Sequence, residues 1–215
     1  MSDDTIKNIV FCLVPMSLFS CATTTGVKQQ DNAQQSILVE GQKRSYRLFV
    51  PADYDPQTAA PLVLAFHGAN GSGRGLQQGI ALDREAKKAG MIVAYPDNLA
   101  GNWAEGCGCN NADRLKIDDI GFTLALLDTL KARFSIDAKR VFAVGYSQGA
   151  LFAQRLACEL SEHFAAVACV AATMSVPLSQ NCAPQQPVAM LMIHGMNDPI
   201  FPWQGKQQGI LSVLS

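Results

Sequence analysis

The sequence predicts an α/β fold, a mostly parallel sheet with helices on both faces. Three observations carry that expectation. Short continuous apolar runs recur along the chain, as expected of strands buried on both faces. Segments with helical spacing separate them, which favours parallel crossovers. Unusual Gly-, His-, Ser- and Asp-bearing loops follow the runs, at the strand ends where such sheets bind ligands.

Taken in order, Ser36 to Pro51 (SILVEGQKRSYRLFVP) reads as a hairpin turning at Glu40-Gly41-Gln42. Pro61 to Phe66 (PLVLAF) is the first buried strand. Leu76 to Ala89 has helical spacing, with Leu76, Ile80, Leu82 and Ala86 on one face and Gly90 as the stop. Met91 to Tyr95 (MIVAY) is the second buried strand, and Asp97 to Arg114 is a long polar loop. Asp118 or Asp119 caps a helix whose apolar face carries Phe122, Leu126, Leu127 and Leu130. Arg140 to Val144, Val167 to Ala171 and Val188 to Ile193 complete the strands.

With 215 residues the chain is long enough for one domain with a substantial core. Its hydrophobic content of 48% and charged content of 16% exclude a disordered chain. A net charge of −1 without a basic stripe argues against a nucleic-acid partner.

Residues 1–21 read as a signal peptide. Ile9 to Phe19 is apolar but too short to span a bilayer. Leu18-Phe19-Ser20-Cys21 resembles a bacterial lipobox, so Cys21 is the expected lipidation site, giving a membrane-anchored or secreted, extracytoplasmic protein. Ordinary cleavage nearby, for example after Ala22, or no export at all, is the rival reading. Residues 22–35 are expected to be a flexible linker, and residues 36–215 the catalytic-type domain.

Of seven cysteines, Cys12 leaves with the signal, Cys21 is the lipidation candidate, and Cys169 lies in an apolar run, where it reads as an inert buried thiol. Cys107, Cys109, Cys158 and Cys182 remain, consistent with two disulfides. Three pairings are open, and a direct Cys107–Cys109 link is disfavoured by its small ring. No histidine completes a ligand set with them, so no metal is expected.

Gly145-Tyr146-Ser147-Gln148-Gly149 joins a strand to a helix in the pattern of a nucleophile elbow, with Ser147 raised at a sharp corner. The helix N-terminus behind it favours a developing oxyanion. His67-Gly68-Ala69-Asn70-Gly71 supplies the facing loop. The N–H of Gln148 is one oxyanion donor and that of Ala69 the other, with Asn70 as the alternative. Asp198 follows a late strand, where the triad acid belongs. Asp97 is a lesser candidate because it precedes the serine. Trp103 and Trp203 lie on loops at this edge and are candidate substrate-stacking residues, with loop packing as the plainer reading.

With PLVLAFHGANGSG, the stretch IDDIGFTLALLDTLKARFSIDAKRVFAVGYSQGALFAQRLACELSEHFAAVACVAA, and PVAMLMIHGMNDPIFPW in that order, the chain resembles the polyhydroxybutyrate-depolymerase and feruloyl-esterase family of the α/β-hydrolase superfamily. The resemblance covers most of the chain from about Ser36. It implies hydrolysis of a carboxylic ester through an acyl-enzyme, with Ser147 as nucleophile, Asp198 as acid, no cofactor, and a polyester or plant-wall polysaccharide ester as substrate.

One departure stands out. There are three histidines and none follows Asp198. His163 sits sixteen residues beyond Ser147, roughly 24 Å away along a continuous helix. In the resembling family the histidines of the two His-Gly pairs are structural, although His194 turning inward as base is an alternative. The sequence reading is therefore of an esterase domain incomplete at its C-terminus, lacking the last strand and helix. A catalytically silent binding module or a non-functional fragment is the competing reading. An uncovered last strand, Pro187 to Ile193, is expected to form an apolar edge that favours self-association.

Overall fold

A computed structural model describes residues 33–208 and 211–213. The signal segment, Cys12, the Cys21 lipidation site and most of the expected linker lie outside the described residues. The sheet opens with the expected hairpin, β1 (Gln34–Val39) and β2 (Gln42–Phe49), turning through Glu40 and Gly41 at positive φ. β3 (Ala60–Phe66) is buried at every position. Two short helices follow, α1 (Gly73–Gly79) and α2 (Leu82–Lys88), then β4 (Ile92–Pro96). After the loop come α3 (Asn111–Arg114), α4 (Asp119–Arg133), β5 (Ile136–Tyr146) and α5 (Gln148–Glu159). β6 (Ala166–Val170), α6 (Val176–Asn181) and β7 (Ala189–Ile193) complete the main body.

The seven strands lie in the order β1-β2-β4-β3-β5-β6-β7. β2 runs antiparallel to both its neighbours, and β4, β3, β5, β6 and β7 are mutually parallel. Alternation along β3 builds both layers. Leu62, Leu64 and Phe66 pack with Phe122 and Leu126 of α4 and with Leu151 and Phe152 of α5. Val63 and Ala65 face the other side, with Ala86 of α2 and Leu76 of α1.

The expected single helix from Leu76 to Ala89 is instead two helices. Ile80 adopts an extended backbone (φ −123°, ψ 148°) between them, and it faces solvent rather than the core. Gly75 and Gly79 are poor helix formers, so the last turn of α1 has little local support. The helix after Ser147 is shorter than expected. It ends at Glu159, and His163 sits in a separate turn of 3-10 helix at Ser161–His163. α3, α6 and a small ribbon of β8 (Lys206–Gln208) with β9 (Leu211–Val213) carried no clear sequence signal.

Asp118 caps α4 by accepting the N–H of Gly121 at 2.7 Å. Its neighbour Asp119 is buried. It takes Arg44 at 2.5 Å and the N–H of Ala104 at 2.8 Å. This pins the β2 hairpin and the long loop to the start of α4. Burial pushes the Asp119 carboxyl upward, while the Arg44 charge and the Ala104 N–H pull it back.

The disulfides are Cys158–Cys182 and Cys107–Cys109. The second is the pairing that ring size disfavoured. Gly108 explains it: its left-handed φ of +66° doubles the chain back, leaving the two Cα atoms 5.1 Å apart. Cys169 is free and buried, its thiol pushed up to about 12 by burial.

Among the described residues β7 is the far edge of the main sheet, and Met190, Leu191, Met192 and Ile193 are all exposed.

Candidate active site

The strands β5, β6 and β7 end in step, with Tyr146 beside Val170 and Val170 beside Ile193. Ser147 and His194 therefore leave the sheet at one edge, separated by two strand spacings, or about 10 Å. Ser147 sits at φ 53°, ψ −123°, a conformation that costs a non-glycine residue about 1–3 kcal/mol. Its N–H is held by the carbonyl of Val170 at 2.8 Å.

The flanking glycines are required by contact. A Cβ on Gly145 would fall 2.1 Å from the carbonyl oxygen of Gly149, and one on Gly149 would fall 2.3 Å from that of Phe66. Strand and helix approach so closely here that only glycine fits, which forces the serine outward.

The His67 loop lies directly over this corner. A Cβ on Gly68 would be 3.3 Å from the Cβ of Ser147. The Asn70 N–H is already bonded to the carbonyl of Gly101 at 2.7 Å, so it is withdrawn as a donor. The Ala69 and Gln148 N–H groups have no partner among the described residues. Gln148 opens α5, where helix geometry leaves the first amides free.

The Gln148 side chain has a role that the sequence did not signal. Its Oε1 accepts the N–H of Trp103 at 2.8 Å, and its Nε2 donates to the Trp103 carbonyl at 2.7 Å. Trp103 itself is fully buried, so it cannot stack on a substrate. Its ring lies against Phe66, Phe152 and His67, each at 5.2 Å, and its Nε1–H donates to the carbonyl of His67 at 2.9 Å. The indole supports the His67 loop from beneath. Trp203 is exposed, 5.9 Å from the ring of His194. Asn70 is exposed at φ 54° on the rim.

Asp198 lies in the turn after β7. One oxygen accepts the N–H groups of Ile200 (2.8 Å) and Phe201 (2.9 Å), and the other has no partner among the described residues. These two bonds, helped by the nearby His194, hold its carboxyl below the usual range. Asp97 instead ties elements together, accepting from Gly73 N–H at 2.7 Å and the Ser45 hydroxyl at 2.8 Å.

No histidine touches the Ser147 hydroxyl among the described residues. His67 is buried, its Nδ1–H donates to the carbonyl of Gly68 at 2.7 Å, and burial lowers its pKa. His194 donates from Nε2 to the carbonyl of Phe201 at 2.6 Å, which turns that nitrogen toward its own loop. His163 lies beside Glu162 at the far end of α5.

A strained serine at a strand–helix corner, two free amides and a late acidic loop on a mostly parallel sheet define an α/β-hydrolase. A model of the Esterase family ("Putative esterase") matches residues 38–207, and the chain belongs to that family. It is 30% identical over 193 residues to "Putative esterase NocK" of Nocardia uniformis, covering 89% of this chain and 56% of that protein. It is also 30% identical over 169 residues to Feruloyl esterase C of Emericella nidulans, covering 75% of this chain and 57% of that one. The chain thus spans a little over half the length of these relatives. Among solved structures, a thermostable esterase superposes with a TM-score of 0.62 at 19% identity, covering 81% of this chain and 49% of the other. A ferulic acid esterase from Anaeromyces mucronatus superposes with a TM-score of 0.62 at 16% identity, covering 80% and 74%. Those two likenesses bear on fold alone.

Proposed function

We propose that Ser147 is the nucleophile of an exported carboxylic-ester hydrolase, with the amides of Gln148 and Ala69 as its oxyanion hole and Asp198 as its acid. The observation that carries this reading is the strained Ser147 corner beneath Gly68, next to two unpartnered amides. In the reaction, Ser147 Oγ bonds to the ester carbonyl carbon and gives up its proton to a base. The carbonyl oxygen becomes an oxyanion held by the two N–H groups. Collapse expels the alcohol and leaves an acyl-enzyme, which water hydrolyses.

Among the described residues the two histidines at this sheet edge bond to backbone carbonyls rather than to the Ser147 hydroxyl, so imidazole supplied from solution can stand in as the base. A missing triad member typically costs up to about a millionfold. The test is hydrolysis of a short nitrophenyl ester with and without added imidazole. An imidazole-driven rate present in the chain and absent from Ser147→Ala supports the reading. Equal rates in the two proteins overturn it. The second reading, a silent binding module, is favoured by the unpartnered Ser147 hydroxyl and would give ester binding with no Ser147-dependent rate.

The feruloyl esters in the names of several relatives support a plant-wall ester as substrate, with a polyester as the alternative. Export rests on the apolar segment from Ile9 to Phe19 and on Cys21 just after it, where lipid would anchor the chain to a membrane. Two disulfides favour the same oxidising setting.

A further inference from the structure

A cleft of about 470 Å³ opens beside Ser147, between the His67 loop, α1 and Tyr146. It adjoins the reacting corner: Gly68 and Tyr146 line it, and a Cβ on Gly68 would lie 3.3 Å from the Ser147 Cβ and 3.5 Å from the Tyr146 ring. Ala69, whose amide has no acceptor among the described residues, forms part of its rim.

The chemistry of the walls is apolar. Leu76 and Ile80 stand along one side and Tyr146, which is 53% exposed, along the other. Polar side chains at the wall are few: Ser72 Oγ accepts the N–H of Gly75 at 3.0 Å, His67 Nδ1 is bonded to its own loop, and the Tyr146 phenol adds one hydroxyl. A sugar hydroxyl or a phosphate entering here would lose its water and gain few partners, which is costly. An alkyl or aryl group would lose only unfavourable hydration.

We propose that this cleft is the subsite for the apolar half of the ester cleaved at Ser147, and that the open space over Gly79 sets how large that half can be. The proposal rests on the esterase reading of Ser147, and it adds where the apolar group lies and what limits it. The half-broken helix has a role in this view. Ending α1 at Gly79 and turning Ile80 outward leaves space where a continuous helix with larger side chains would fill the cleft.

Gly79 gives a clean test. A Cβ there meets nothing within 4 Å, and its φ lies outside the left-handed region, so a side chain is accommodated without strain. Binding of methyl hexanoate and methyl acetate is measured by NMR titration in the non-hydrolysing Ser147→Ala protein and in Ser147→Ala/Gly79→Leu. The four extra methylenes, if half shielded, make hexanoate bind roughly tenfold tighter than acetate. Gly79→Leu should reduce that ratio to about twofold or less while leaving acetate binding and the melting temperature unchanged. A hexanoate preference below about twofold at the start, a preference that Gly79→Leu leaves intact, or equal weakening of both esters would overturn the proposal. Because binding is read without turnover, a failed imidazole experiment and a failed cleft experiment remain distinguishable.

Discussion

The side chain of Gln148 holds both main-chain polar groups of Trp103, at 2.8 and 2.7 Å, forty-five residues away in sequence. The residue whose backbone amide opens α5 at the Ser147 corner therefore also locks, through its side chain, the loop that underpins the His67 segment. Replacing Gln148 by Ala leaves a buried N–H and a buried C=O unpaired, at about 1–3 kcal/mol each before relaxation. Gln148→Ala is expected to lower stability by roughly 2–4 kcal/mol in urea unfolding, and Gln148→Glu, which sets a buried carboxylate oxygen against the Trp103 carbonyl, by at least as much.

Gly149 faces the carbonyl oxygen of Phe66 at a distance no Cβ tolerates. Gly149→Ala must push β3 from α5 and is expected to cost more than about 3 kcal/mol. Gly79→Ala, where the space is open, is expected to be neutral or slightly stabilising. Thermal melts of the two variants check the contrast.

Glu105 is buried, with one oxygen unpartnered, and burial together with the Asp113 charge pushes its pKa up to about 7. The folded chain therefore binds this proton more tightly than the unfolded chain does. Stability from this group is present at low pH and is lost as pH rises from about 4.5 through about 7, by roughly 3 kcal/mol. Melting temperature should fall across that window, and Glu105→Gln should flatten the fall. A fall of the same size in Glu105→Gln would mean that another group titrates.

The β7 edge carries four exposed apolar residues beside backbone that has no strand partner among the described residues. The 215-residue chain is expected to self-associate by pairing β7 with β7 of a second copy. Sedimentation velocity should show concentration-dependent growth in mass, and Leu191→Lys should suppress it. A monomer at high concentration would show that this edge is covered in solution.

The elements that the sequence made legible are those whose physics is local. The α4 face of Phe122, Leu126, Leu127 and Leu130 follows from helical spacing, and all four are buried. The hairpin turn at Glu40-Gly41 follows from turn chemistry. The Ser147 corner was legible because close backbone approach leaves glycine as the sole choice at two fixed offsets. The break at Ile80 was not, because spacing alone placed that residue on a buried face, whereas the chain turns extended there.

Sequence by itself determined the α/β layering and the strand–helix corner at Ser147. Tertiary structure alone decided that Trp103 is core rather than a stacking platform, that Asn70 gives its amide to Gly101 and so leaves Ala69 free, and that Cys107 pairs with Cys109. The physical reason is range. Steric and periodic constraints act within a few residues, whereas burial and hydrogen-bond partnership depend on segments brought together from distant parts of the chain.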